Sequence, residues 1–65
     1  MKELDVVKLL CNHKDVQAGT VGTIVLEYDG RYFEVEFVDK DGDTIGVYTT
    51  PAEILQLVDG QEMAK

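Results

Sequence analysis

Gly19-Thr-Val-Gly-Thr-Ile-Val-Leu-Glu-Tyr-Asp-Gly-Arg-Tyr-Phe-Glu-Val-Glu-Phe37 is the stretch on which the reading of this chain turns. Two alternating runs rich in β-branched and aromatic residues flank Asp29-Gly30, and Asp-Gly tolerates the positive φ angles that a two-residue type I′ turn needs. The expectation is a hairpin in which Tyr28 faces Arg31. Leu26 then opposes Phe33, Ile24 opposes Val35 and Gly22 opposes Phe37, which gathers apolar side chains on one face. Glu27 with Tyr32, Val25 with Glu34 and Thr23 with Glu36 form the other face, the polar alternation of a sheet with one wet side. A one-residue slip would carry Glu34 and Glu36 into the core, so the pattern specifies its own register.

Downstream, Asp39-Lys-Asp-Gly-Asp43 leads into the run Thr44-Ile-Gly-Val-Tyr-Thr-Thr50. A two-residue Asp41-Gly42 turn would set inward Phe37 against Gly46 and leave Ile45 and Val47 outside. A three-residue loop, Lys40 to Gly42, with Gly42 left-handed in a G1 bulge, instead opposes Phe37 with Ile45, Val35 with Val47 and Phe33 with Thr49. The expected inward set of the meander is therefore Ile24, Leu26, Phe33, Val35, Phe37, Ile45 and Val47. Glu36 with Gly46 and Glu34 with Tyr48 fall on the outer face. Next, Thr50-Pro51-Ala52-Glu53 combines a hydroxyl cap, a proline at the first helical position and a glutamate three residues after the cap, which predicts one helical turn. Residues 54–58 are open between helix and strand on periodicity alone. Asp59-Gly60 stops either one, and 61–65 is expected to fray.

Upstream, Leu4 to Leu10 is short, apolar and β-branched, and predicts a first strand with Val7 and Leu9 inward and Lys8 outward. Cys11 to Gly19 reads as a polar, irregular loop.

The 65 residues predict one domain over 1–58 with a tail over 59–65. A chain this short buries only about 60% of its unfolded surface, which leaves no depth for a substrate cavity. Six basic against 13 acidic side chains give a formal charge of -7, a balance that repels phosphate backbones and anionic lipid surfaces. Nucleic acid and membrane are thus excluded as expected partners. The opening residues carry no signal-peptide core, and no run reaches the roughly 18 apolar residues of a spanning helix. The expected compartment is the cytoplasm, in keeping with a single cysteine, Cys11, which has no internal partner.

Each chemical motif has a stronger structural reading. A calcium loop wants glycine at its sixth position and glutamate at its twelfth, whereas in the segment from Asp39 glycine is fourth and Thr50 holds the twelfth place. Cys11 and His13 supply two potential ligands where structural zinc takes four, and no oxyanion site accompanies them as a nucleophile and base. Gly19 and Gly22 are followed by no helix and no phosphate-binding lysine, so they read as turn and close-packing glycines. The expectation is a non-catalytic protein with no cofactor and no metal.

The order of elements is strand, irregular loop, three-stranded meander, helical turn and last apolar run. With Leu4-Asp5-Val6-Val7 and Leu9, Ala18-Gly19, Gly22-Thr23-Ile24-Val25, Tyr32 to Phe37, Asp39, Gly42 and Leu57-Val58, the chain resembles a family of short bacterial proteins. That family is frequent in cyanobacteria and is catalogued only as a domain of unknown function. The resemblance covers roughly residues 3 to 58. It implies an all-β fold, a small five-stranded SH3-like barrel with one short helical turn before the last strand, and favours a strand over 54–58. It implies no catalytic residues.

Tyr32 and Tyr48 then stand on the outer face with Val25, Glu27, Glu34 and Glu36, and residues 27–43 hold five of the seven net negative charges. Aromatic side chains inside an acidic face have the composition of an interface centre, and tyrosine is also an ordinary strand former. The expected function is an acidic protein-binding module, an adaptor or antitoxin-like neutraliser of a basic protein partner, with a homodimer as a further option. The alternative is a small structural or docking subunit of a larger complex such as an electron-transfer assembly.

Overall fold

Runs of β-branched and aromatic residues become five strands: β1 (Val6–Leu9), β2 (Val21–Glu27), β3 (Tyr32–Val38), β4 (Thr44–Pro51) and β5 (Leu55–Leu57), with a 3₁₀ turn, Ala52–Ile54, before the last. The computed structural model describes residues 1–58; the expected stop at Asp59-Gly60 and the fraying of 61–65 lie outside the described residues. Every pairing is antiparallel, and the strands form one open sheet in the order β4-β3-β2-β1-β5. The last apolar run is therefore a strand, and it pairs with the first. The predicted helical turn is present but begins one residue later and is uncapped. Thr50 is fully buried, and its hydroxyl donates to the Tyr48 carbonyl at 3.1 Å, so it is unavailable to close a capping box.

Val7, Leu9, Ile24, Phe33, Val35, Phe37 and Leu55 fill the core face, joined by Val16 from the loop between β1 and β2. Each such burial contributes about 1.5–3 kcal/mol of transfer free energy. Val16 is the unexpected member. His13 and Val16 exchange two backbone hydrogen bonds of 2.9 Å around Lys14, whose φ is +55°. This tight turn folds the loop back on itself and drives its one valine inward. Gly22 must be glycine, since a Cβ there would stand 2.7 Å from Val35 Cγ1 and 2.9 Å from the Glu36 carbonyl.

The β2–β3 register matches the expected one from Val21 to Ile24, where Gly22 faces Phe37 and Ile24 faces Val35. Val25 is then bulged out, and Leu26 faces Glu34 while Glu27 faces Phe33. The connection is correspondingly wider than a two-residue turn, with Tyr28 N–H donating to the Tyr32 carbonyl at 3.1 Å. The cause is local. Asp29 does not adopt positive φ, only Gly30 does, and the Asp29 carboxylate instead accepts from the N–H groups of Arg31 at 3.0 Å and Tyr32 at 3.3 Å. Cross-strand partners share a face, so Leu26 belongs to the outer face, not the core, and is 42% exposed.

The β3–β4 loop is the expected three-residue one. Asp39 N–H donates to the Asp43 carbonyl, Gly42 has φ +88°, and Val38 faces Thr44. A second irregularity at Ile45 then shifts the rest of β4 by one residue, placing Gly46 opposite Phe37, Val47 opposite Glu36 and Tyr48 opposite Val35. Ile45 and Val47 are accordingly exposed rather than inward, at 40% and 51%. Tyr48 moves the other way. It is half-buried on the core face, its ring 6.5 Å from that of Phe37 and lying over Gly46, where a Cβ would stand 2.9 Å from it.

Strands β4 and β5 are the edges of the sheet. On β4 the Thr49 carbonyl accepts a hydrogen bond of 3.0 Å from His13 Nε2, across 36 residues of sequence. A carbonyl only accepts, so Nε2 carries the proton. The loop between β1 and β2 is thereby tied to the far edge of the sheet, and half-buried His13 is a structural tether.

Candidate functional site

The outer face of the meander is the part of the surface that combines chemistry with order. Its central strand, β3, alternates without interruption, burying Phe33, Val35 and Phe37 while Tyr32, Glu34, Glu36 and Val38 point away from the core. Across the face run four rows set by the pairing: Val21, Val38 and Thr44; Thr23, Glu36 and Val47; Leu26, Glu34 and Thr49; and, at the loop end, Tyr32 beside Pro51.

The two carboxylates are held in place. Thr44 Oγ1 donates to Glu36 Oε2 at 2.8 Å, and Thr49 Oγ1 donates to Glu34 Oε1 at 2.6 Å. Such charge-assisted bonds are short and strong. They fix each carboxylate through one of its oxygens. The described residues contain an ion pair between Lys2 and Asp5 at 3.1 Å, but no cation partners Glu34 or Glu36. The Tyr28 phenol lies by the same carboxylate. Loss of surrounding water first, and the Glu34 charge and hydrogen bond second, hold its pKa above the ordinary tyrosine value.

Of the sequence candidates, Tyr32, Glu34 and Glu36 are brought together here. Val25 is exposed but stands in the bulge, outside the row pattern. Glu27 faces Phe33 and so belongs to the opposite side, and Tyr48 packs on Phe37 in the core face. Leu26, Tyr28 and Val47 join the face instead, all more than two-fifths exposed. Only the two bulges bring Leu26 and Val47 here, and alternation cannot signal a bulge.

Among the described residues no three His, Cys, Asp or Glu side chains cluster closely enough to hold a metal ion. Asp39, the first residue of the segment weighed as a calcium loop, has its Oδ1 taken by the N–H groups of Asp41 at 2.9 Å and Asp43 at 3.0 Å. Cys11 is a free, exposed thiol, and the nearby imidazole is engaged with Thr49. No helix among the described residues is long and apolar enough to cross a membrane.

No curated protein and no solved structure matches the chain significantly. A family profile described as Domain of unknown function (DUF4926) matches residues 3–57; spanning most of the chain, that match places this protein in the family.

Proposed function

We propose that this domain is a non-catalytic, acidic protein-binding module of the cytoplasm, a small SH3-like barrel that docks a basic partner on the outer face of its meander. The observation that carries the reading is the pair Glu34 and Glu36, pinned by threonine hydroxyls and unneutralised by any cation of the described residues, within exposed apolar side chains. Preorganised charges save the partner the cost of ordering them, and the charge of -7 adds steering toward a positive surface. The pairing of the first strand with the last and the single turn before it support the barrel reading. An exposed thiol without a partner suits a reducing compartment.

The test is affinity capture from a lysate by the wild-type domain and by Glu34→Gln/Glu36→Gln and Tyr32→Ala variants, at low and high salt, with captured proteins identified by mass. A basic protein should be retained by the wild type, released by salt and lost with the double carboxylate variant. Tyr32→Ala should weaken its binding by about 1–2 kcal/mol if the ring is an anchor. Equal retention by all three forms would remove this face from the function.

A further inference from the structure

The outer face does not end at Glu36. The next row, Val21 and Val38, forms the floor of an open groove of about 690 Å³ between the β1–β2 loop and the β3–β4 hairpin, with Ile45 against it. The bulge that turns Ile45 out of the core is what supplies this apolar wall. The rim carries Asp15 and Asp39 against one cation, Lys40. Groove and carboxylates thus form one continuous track along β3, with Val38, Glu36, Glu34 and Tyr32 all pointing to the same side.

From this we infer the form of the partner: an extended segment of a basic protein that lies along β3, seats an apolar side chain in the groove over Val38, and places cationic side chains two and four residues further on, over Glu36 and Glu34. The spacing follows from geometry. Same-side positions recur every two residues, about 6.6–6.8 Å, in any extended chain, so a segment of apolar, any, basic, any, basic pattern matches the track row for row. A second copy of this chain fits poorly, because its own outer face would bring the same uncompensated carboxylates against these. Strand addition at the β4 edge fits poorly too, because His13 already occupies the Thr49 carbonyl there. The inference rests on the proposed binding of a basic protein and specifies how that protein is gripped.

Two synthetic heptapeptides test it, Leu-Thr-Arg-Thr-Arg-Thr-Tyr and the same peptide with serine in place of leucine, each made in both chain directions and titrated into ¹⁵N-labelled domain. The leucine peptide should bind about tenfold more tightly, the affinity that burying one apolar side chain supplies. It should shift the amides of Val21, Val38 and Ile45 as well as those of Glu34 and Glu36. An Ile45→Asp variant, altered at an exposed bulge, should bind both peptides equally. Equal affinity of the two peptides for the wild type, with shifts confined to the rows of Glu34 and Glu36, would overturn the groove and leave the basic partner standing. No shift on this face with either peptide would remove both.

Discussion

The β2–β3 and β3–β4 hairpins close in the same manner and diverge beyond the closure. In each, an aspartate carboxylate collects two N–H groups of its own loop, Asp29 from Arg31 and Tyr32, Asp39 from Asp41 and Asp43. A glycine in each takes the positive φ. Each also carries one bulge, but at different distances from the loop. In β2 it falls at Val25, so the four residues Val21 to Ile24 keep simple alternation. In β4 it falls at Ile45, beside the loop, so nearly the whole strand is moved by one place. The same one-residue insertion therefore turns over a strand end in one hairpin and a whole strand in the other. Both bulges also sharpen local twist, which lets a short sheet curl around few core residues.

The largest effect should come at the residue the hairpins share. Phe37 lies opposite Gly22 on one side and Gly46 on the other, and both glycines leave room for its ring. Phe37→Ala should cost about 3–5 kcal/mol, close to the whole stability of a domain this size, and abolish the cooperative transition in urea followed by circular dichroism. A cooperative transition with an unchanged midpoint would mean that the hairpins are stabilised separately.

The tyrosines sharpen the contrast between the faces. Tyr48, inward because of the β4 bulge, should lose about 1–3 kcal/mol on replacement by alanine, as a partly buried aromatic does, whereas Tyr32→Ala should stay within about 0.5 kcal/mol. Equal losses in thermal unfolding would restore Tyr48 to the outer face and remove the bulge at Ile45.

The same two residues mark how far sequence carries. Strict alternation in Tyr32 to Val38 made the central strand, its buried phenylalanines and its outward glutamates legible, and Asp39 to Asp43 announced its loop length. Leu26, Ile45, Val47 and Tyr48 were misplaced together, because a bulge leaves composition untouched and shifts every later residue. Val16 was missed since one valine in a polar loop has no period to show. At the candidate site, Tyr32, Glu34 and Glu36 were legible from the alternation, while the groove wall at Ile45 depends on the bulge.

The smallest effect tests the likeness of the loops. Asp29→Ala and Asp39→Ala should each cost about 1 kcal/mol, the net worth of solvent-exposed hydrogen bonds, and should add in the double variant since the loops do not touch the same partners. Asp39→Asn, which keeps an acceptor oxygen, should recover most of the loss. Unequal costs in chemical denaturation would show that the bulge beside the second loop changes what its aspartate contributes.

The tether from His13 to Thr49 bears on how the molecule behaves in a crowd. An uncovered strand flank invites the next chain to add on and then the next, which is how β-rich proteins seed fibres. By occupying a carbonyl of β4, the imidazole removes one acceptor that an incoming strand would need, which weighs against linear polymerisation, a hazard that otherwise rises with concentration. A concentrated His13→Ala solution at high salt, where mutual charge repulsion is screened, should bind a fibril-sensitive dye well before the wild type does.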